Sequence, residues 1–205
     1  MSNDLFFSFI TSLLICMALI PPLRLLADRF HFMDQPGERK VHQHPIPRVG
    51  GIAFAIGALG SILWWGPKDN TTLAVPLGGL IILGFGVWDD RANLGYRIKL
   101  LGQLAAAFAV IIIGGIRFES IPFLLDAELP MWIGIPVTVL FLVAVSNAVN
   151  LTDGLDGLAG GLSFLTLCGI AYLAYLSNDT TVLLLTLPFL EIGRASCRER
   201  VSPRV

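Results

Sequence analysis

The chain has 205 residues, of which 55% are hydrophobic and only 14% are charged, and its mean hydropathy is +0.75. Soluble domains are closer to a quarter charged, so this composition excludes an ordinary soluble globular protein. Fourteen Lys and Arg side chains against fifteen Asp and Glu give a net charge of -1, which excludes a nucleic-acid-binding protein that works by bulk positive charge. The three scattered cysteines, Cys16, Cys168 and Cys197, fit neither a disulfide framework nor a zinc site.

Apolar stretches long enough for membrane helices follow one another along the chain. A bilayer core of about 30 Å needs about 20 apolar residues per helix. The sequence predicts spans at residues 5–26, 49–65, 73–88, 98–116, 131–147, 158–176 and 181–190, the last of which is cut short. No basic segment precedes the first stretch and no small-residue cleavage site follows it, which favours a membrane span over a cleaved signal peptide. We therefore expect an all-α fold, a polytopic transmembrane helix bundle with about six full spans plus a cut seventh.

The loops between these spans differ in their basic residues. Alternate loops hold eight of them: Arg24, Arg29, Arg39, Lys40, Arg48, Arg91, Arg97 and Lys99. The opposite loops hold only Lys68 and Arg117. Because cytoplasmic loops carry the excess of Lys and Arg, we expect the first group to be cytoplasmic and the N-terminus to lie outside. Helix counting places the segment 150–157 on the cytoplasmic side as well, although it has no basic residue.

The last fifteen residues depart from the apolar pattern. Six charged residues interrupt the seventh span: Glu191, Arg194, Arg198, Glu199, Arg200 and Arg204. A basic cytoplasmic tail is one interpretation, and the topology permits it. The string also resembles the translation of a sequencing-adapter oligonucleotide read through in frame. We therefore expect residues 1–190 to be the N-terminal part of one membrane-embedded domain and residues 191–205 to be a non-native tail.

The first polar segment on the expected cytoplasmic side covers residues 34–51. Three prolines stiffen it, and cationic or imidazole side chains are concentrated in the same segment: Arg39, Lys40, His42, His44 and Arg48. A fixed cluster of such donors beside a bilayer suits a phosphate or a pyrophosphate. The alternative is a loop that is merely attracted to anionic lipid.

The second polar segment contains two adjacent carboxylates, Asp89 and Asp90, at the end of an apolar helix. Adjacent carboxylates repel each other and need a cation or a proton to coexist. Hard oxygen ligands of this kind suit Mg²⁺, which commonly binds one or two carboxylates together with substrate phosphates. The alternative is a solvated helix terminus.

The third polar segment is the most informative of the three. Two amides and two carboxylates, Asn147, Asn150, Asp153 and Asp156, recur at every third residue. On a helix, neighbouring members of such a series share a face. A glycine follows each Asp and allows close backbone approach to a ligand. The ligand ladder and closing Glu of an EF-hand are missing, and no membrane span needs this combination, so we expect a functional site here.

Taken in order, these motifs carry a family resemblance over residues 1–190. They read Asp34-x-Pro, Arg39-Lys40-x-His42, Pro45-Ile-Pro-Arg48-x-Gly-Gly, Asp89-Asp90 and Asn150-Leu-Thr-Asp153-Gly-Leu-Asp156-Gly-Leu-Ala-Gly. The chain resembles the polyprenyl-phosphate N-acetylhexosamine-1-phosphate transferases of glycosyltransferase family 4. The Arg-Lys-x-His loop is similar to the undecaprenyl-phosphate α-N-acetylglucosaminyl 1-phosphate transferase branch, which starts O-antigen, common antigen or teichoic acid linkage synthesis. It is less similar to the branch that transfers phospho-MurNAc-pentapeptide.

The resemblance implies an enzyme of a bacterial cytoplasmic membrane whose active-site loops face the cytoplasm. Its expected partners are undecaprenyl phosphate and a UDP-N-acetylhexosamine, and it releases UMP with Mg²⁺, or Mn²⁺ as a substitute, as cofactor. By resemblance Asp89, Asp90, Asp153 and Asp156 are catalytic, and Asp89 and Asp90 also bind the metal. The residues expected to contact substrate are Arg39, Lys40, His42, Arg48, Asn147 and Asn150.

Several alternatives stay open at the level of sequence. Asp89 either orients or deprotonates the lipid phosphate for direct attack, or a carboxylate first forms a phospho-enzyme. The metal is assigned to Asp89 and Asp90, with Asp153 and Asp156 as the other pair, and a homodimer is one expected assembly. Later segments of the family, including a Gly-Asp loop and a His-rich loop, have no counterpart here, so we expect this chain by itself to be inactive. A membrane transporter and a non-catalytic membrane scaffold are the rival functions.

Overall fold

In a computed structural model of the chain, the described residues are 2–27, 33–34, 46–47, 49–92, 94–120, 128–152 and 158–191. Within these ranges the chain forms seven α-helices. They are α1 (Ser2–Ala27), α2 (Gly50–Trp65), α3 (Asn70–Ala92), α4 (Tyr96–Gly114), α5 (Met131–Thr152), α6 (Leu158–Leu176) and α7 (Thr180–Thr186), which continues as a 3-10 helix over Leu187–Glu191. The predicted all-α polytopic bundle is confirmed.

Five of these helices, α1, α3, α4, α5 and α6, are long and apolar enough to cross a membrane. The sequence predicted about six full spans, and α2 is the difference. Its 16 residues rise only about 24 Å, which is shorter than a hydrocarbon core of about 30 Å. The segment Thr180–Glu191 is also a shorter apolar helix, in agreement with the cut seventh span.

Two helices extend beyond their predicted apolar stretches, and both extensions carry site residues. Helix α3 was predicted to end at residue 88 but continues to Ala92, so Asp89 and Asp90 lie in its last turn. Helix α5 was predicted to end at residue 147 but continues to Thr152. Polar residues at the water interface remain helical because the backbone hydrogen-bond ladder continues whether or not the side chains are apolar.

A short pair of strands closes the first polar loop, which the sequence did not predict. Strand β1 (Met33–Asp34) pairs antiparallel with β2 (Ile46–Pro47), and Asp34 lies opposite Ile46. The segment between the two strands contains the predicted phosphate-binding residues Arg39, Lys40 and His42, and it lies outside the described residues.

The helices pack mainly as two antiparallel pairs, α1 with α2 and α3 with α4, and α2 also contacts α3. The core between α1 and α2 consists of Cys16, Ile20 and Ala53. Gly57 lets the two backbones approach closely, since a Cβ atom there would lie 2.8 Å from the Ser12 carbonyl oxygen. Small residues at such contacts are typical of membrane helices, which associate by close packing.

Polar contacts connect neighbouring helices at the end of the bundle that holds the start of α1. The Ser8 hydroxyl lies 3.0 Å from the Ser61 hydroxyl, and the Thr71 hydroxyl donates to the Gly114 carbonyl over 3.1 Å. Exposed Trp64 and Trp132 lie at this end, and exposed Trp88 and Tyr96 lie at the opposite end. Aromatic side chains at both ends are typical of the two membrane–water interfaces.

The predicted boundary at residue 191 lies at the end of the described chain segment. The Glu191 side chain is buried and accepts a hydrogen bond from the Ser12 hydroxyl over 2.6 Å. Residues 192–205 are outside the described part of the chain. The assignment of 191–205 as a non-native tail stays a prediction.

Candidate active site

The site is built outward from Asp89 in the last turn of α3. One Asp89 carboxylate oxygen, Oδ1, accepts a hydrogen bond from the Leu94 backbone N–H over 2.8 Å. The other oxygen, Oδ2, lies 2.8 Å from the Lys99 Nζ atom in the first turn of α4. The carboxylate therefore holds the turn between the two helices at both of its oxygens. A charge-assisted pair of this length is a strong geometric restraint, although both side chains remain partly exposed.

A second polar contact connects α4 to α5. The Asn147 side-chain amide on α5 donates from Nδ2 to the Gln103 Oε1 atom over 3.0 Å. In return, the Gln103 Nε2 atom donates to the Asn147 Oδ1 atom over 3.5 Å. The Asn147 Nδ2 atom also donates to the Val143 carbonyl oxygen one turn earlier, over 2.8 Å. Both amides are thereby oriented by each other.

Helix α4 is the element that brings these contacts together. Lys99 and Gln103 are four residues apart and so lie on one face of the helix. One of them holds Asp89 of α3 and the other holds Asn147 of α5. The end of α3, the start of α4 and the end of α5 therefore form one polar region at a single end of the bundle. We call this region the polar end, and we define it by Asp89, Lys99, Gln103 and Asn147.

Sequence reasoning missed two of these four residues. Lys99 was counted only among the basic loop residues, and Gln103 was not singled out. Their four-residue spacing within an otherwise apolar stretch was the available signal, because such a spacing places polar groups on one helix face.

Close packing of α3 against α4 supports the polar end from within the bundle. Gly102 of α4 lies against the Phe85 ring, and a Cβ atom at Gly102 would come within 2.6 Å of the Phe85 Cγ atom. Phe85 is one helical turn before Asp89, so this contact fixes the distance between the two helices just where the carboxylate projects.

An apolar groove lies between α4 and α5, next to the polar end. It encloses about 390 Å³ and is lined by Leu104, Phe108, Ile135, Pro136, Val139, Leu140 and Val143. Leu104 is adjacent in sequence to Gln103, and the Val143 carbonyl accepts the hydrogen bond from Asn147. One end of the groove therefore meets the paired amides.

The remaining predicted site residues fall into two groups. Asp90 is half-buried in the last turn of α3, and Asn150 is exposed on α5, one turn after Asn147. The other six lie outside the described residues, so their predicted roles stay predictions: Arg39, Lys40, His42, Arg48, Asp153 and Asp156.

The metal prediction can be compared with the described side chains only in part. Within the described ranges, no group of three or more His, Cys, Asp or Glu side chains comes together. Asp89 and Asp90 nevertheless fit the chemistry of Mg²⁺, which needs one or two carboxylates in addition to phosphates and water. Both side chains are half-buried in the last turn of α3.

The distribution of charged residues along the helices helps to distinguish a transporter from other classes of membrane protein. In the described helices, each Asp, Glu, Lys and Arg lies among the first or last four residues of its helix. Transporters built from membrane helices typically place ionisable groups or broken helices near the middle of the bilayer. The described part of the chain instead concentrates its charge at the ends of its helices.

Sequence comparison with known proteins identifies relatives of the chain. The family model for glycosyl transferase family 4 matches residues 72–193, which is more than half of the chain. A Bacillus subtilis (strain 168) protein named "Probable undecaprenyl-phosphate N-acetylglucosaminyl 1-phosphate transferase" is 38% identical over 182 residues, covering 88% of this chain and 51% of the relative.

Two further relatives cover a similar part of the chain. The undecaprenyl-phosphate alpha-N-acetylglucosaminyl 1-phosphate transferase of Yersinia pestis is 30% identical over 191 residues, covering 90% of this chain and 50% of the relative. The phospho-N-acetylmuramoyl-pentapeptide-transferase of Chlorobium phaeovibrioides (strain DSM 265 / 1930) is 30% identical over 206 residues, covering 90% and 56%. The chain spans about half the length of these curated relatives.

Proposed function

Because the chain belongs to glycosyl transferase family 4, we propose that the protein transfers a HexNAc-1-phosphate from a UDP-sugar to undecaprenyl phosphate and releases UMP. The sugar phosphate is GlcNAc-1-phosphate, as the names of the Bacillus and Yersinia relatives suggest. The observation that carries the proposal is the polar end, where Asp89 of α3 and Asn147 of α5 are held on one face of α4. The reaction starts a lipid-linked glycan, such as O-antigen, common antigen or a teichoic acid linkage unit.

The reaction brings anions together, and the polar end suits that requirement. An oxygen of the lipid phosphate attacks the β-phosphorus of the UDP-sugar, and the bond from that phosphorus to the bridging oxygen breaks. UMP leaves with the bridging oxygen. The Lys99 ammonium, 2.8 Å from the Asp89 carboxylate and partly exposed, offsets the repulsion between this carboxylate and the incoming phosphates. Asp89 then orients the lipid phosphate, or accepts its proton, for direct attack.

The proposed cofactor is Mg²⁺, with Mn²⁺ as a substitute, held by Asp89 and Asp90. When bound, such an ion stabilises negative charge on the phosphates and on the UMP leaving group. Since both oxygens of Asp89 already have partners in the described structure, Asp89 must exchange or share its contact with Lys99 when it binds the ion. Asp153 and Asp156 complete the catalytic carboxylates of the proposal.

The lipid acceptor is supported by the apolar groove between α4 and α5. Its lining side chains are aliphatic or aromatic, as the isoprenoid chain of a polyprenyl phosphate requires. Because one end of the groove meets Gln103 and Asn147, a lipid lying in it would present its phosphate at the polar end.

We place the polar end on the cytoplasmic side of a bacterial inner membrane. The uneven distribution of basic residues supports this orientation, and UDP-sugars are made in the cytoplasm. Arg39, Lys40, His42 and Arg48 are then available on the same side to contact the diphosphate of the donor. A homodimer is the proposed assembly.

The test uses the full-length protein, purified in detergent with undecaprenyl phosphate and UDP-GlcNAc. We expect Mg²⁺-dependent release of UMP, and we expect Asp89→Asn to abolish it. The matched control is Asp69→Asn near the opposite end of α3, where Asp69 Oδ1 accepts a hydrogen bond from the Thr72 backbone N–H. Asn serves almost equally well in such a helix-capping contact, so this variant should retain activity. Loss of activity in both variants, or in neither, would contradict the assignment of Asp89.

The rival functions give different results in the same preparation. A transporter would move a substrate across proteoliposomes without releasing UMP. A scaffold would do neither.

A further inference from the structure

Helix α4 carries a side chain whose contacts indicate a role in the site. Gln103 lies in the eighth position of α4, about 10 Å from the helix start. It lies in a stretch that is otherwise apolar between Lys99 and the end of the helix. A side-chain amide at this depth in a membrane helix is costly unless it finds a partner. The partner is Asn147 on α5, 44 positions away in the sequence.

The hydrogen bonds of this pair occupy the Asn147 amide, whereas a ligand-binding amide would keep its polar atoms free. The Asn147 Nδ2 atom donates both to Gln103 and to the Val143 carbonyl, and the Asn147 Oδ1 atom accepts from Gln103. Both polar atoms of the Asn147 amide are therefore engaged with α4 and α5. Asn147 and Asn150, one turn further along α5, are both exposed, so Asn147 is distinguished by its hydrogen bonds and not by burial.

From this arrangement we propose that Gln103 is a positioning residue, and that Asn147 acts through it rather than on the substrate. The reciprocal amide pair fixes the end of α5 against α4. The position of the end of α5, including Asn150, relative to Asp89 of α3 therefore depends on the pair. The proposal adds a positioning role to the proposed function. Only its turnover measurement rests on that function being correct.

Two other contacts hold α4 against α3, so α4 can position α5 relative to α3. Lys99, four residues before Gln103, holds Asp89 of α3, and Gly102 is packed against Phe85 of α3. Helix α4 is thus held against α3 by contacts that do not involve the amide pair. Helices α4 and α5 are in contact, but an open apolar groove runs beside this contact next to the amide pair, so the packing there is less complete than in a filled interface.

The test exchanges the two side chains. Gln103→Asn shortens the pair by one methylene group, Asn147→Gln lengthens it by one, and the double variant restores the total length with both hydrogen-bonding groups. The matched control is Thr166→Ala on α6, which removes a polar contact to Leu162 within a single helix.

The first readout requires no activity. Spin labels at Ala92 and Leu151, with native cysteines replaced, report the distance between the ends of α3 and α5 in the full-length protein. We expect a narrow distance distribution in the parent protein and in the control variant. It should broaden or shift in each single variant and become narrow again in the exchanged double variant. An unchanged distribution in both single variants would overturn the proposal.

The second readout is turnover. Each single variant should lower kcat about three- to tenfold, the range expected for one interhelical hydrogen bond in a membrane, with the KM for the UDP-sugar unchanged. The exchanged variant should recover most of the loss. If the exchanged variant stays as impaired as Asn147→Gln while Gln103→Asn is fully active, Asn147 contacts the substrate and the proposal is wrong. If the distances respond as expected but the parent protein transfers no sugar phosphate, the proposed function fails while the positioning role stands.

Discussion

Replacing Gly102 by Ala should separate α3 from α4 and so disturb the site from within the bundle. The added Cβ atom would lie 2.6 Å from Cγ, 2.9 Å from Cδ1 and 3.0 Å from Cβ of Phe85. Carbon atoms in favourable contact are about 3.5 Å apart or more, so the ring or the helix must move by about 1 Å. These atoms lie near the base of the Phe85 side chain, so the ring cannot simply turn away.

The magnitude follows from comparison with a glycine that has space around it. A Cβ atom at Gly86 of α3 meets nothing within 4 Å. Both substitutions gain about 1 kcal/mol from the better helix propensity of Ala, and only Gly102→Ala incurs an overpacking cost of about 1–3 kcal/mol. The difference between the two variants isolates that cost. We therefore expect Gly102→Ala to be less stable than Gly86→Ala by about 1–3 kcal/mol.

The assay is reversible unfolding of the full-length protein in mixed micelles with increasing SDS, followed by the helical circular dichroism signal. The Asp89–Lys99 pair bridges the same two helices, so Gly102→Ala should also lower turnover more than Gly86→Ala. Equal unfolding free energies for the two variants would refute the close packing of Gly102 against Phe85.

Three other predictions follow from the proposed site. Asp90→Asn should raise the Mg²⁺ concentration needed for half-maximal rate by about tenfold, equivalent to ~1.4 kcal/mol, because a hard ligand is lost; an unchanged Mg²⁺ dependence would move the metal elsewhere. Asp153→Asn or Asp156→Asn should abolish transfer without affecting membrane insertion, and near-normal turnover of both in detergent would remove them from the site. Cysteines placed at Gln43 and Ala92, with native cysteines replaced, should resist a membrane-impermeant thiol reagent in intact cells, whereas labelling from outside would contradict a cytoplasmic site.

Hydropathy alone was sufficient to predict most of the helices. The predicted span 158–176 coincides with α6, and the predicted start of α5 at residue 131 coincides with the observed one. The C-terminal ends of α3 and α5, which carry site residues, were predicted too early in the sequence. Hydropathy detects where side chains become polar, and not where the backbone hydrogen bonds of the helix end. This is why Asp89 and Asn150 lie inside helices and not beyond them.

The individual contacts of the site were beyond what the pattern could predict. Motif reasoning selected Asp89 and Asn147, but it could not show that both are held by α4. Pairing of Asp89 with Lys99, and of Asn147 with Gln103, depends on how far α4 is rotated about its axis. Helix rotation is set by packing contacts such as Gly102 against Phe85, and these are determined only when the helices assemble.

The most direct test of the central claim follows one phosphorus atom. Full-length protein is supplied with undecaprenyl phosphate, Mg²⁺ and UDP-GlcNAc carrying a radioactive label on the β-phosphate. Transfer of a sugar phosphate predicts that the label moves into an organic-soluble pyrophosphoryl lipid and that the released nucleotide is unlabelled UMP. Recovery of the label in UDP, or the absence of any labelled lipid from an intact and folded preparation, would contradict the account.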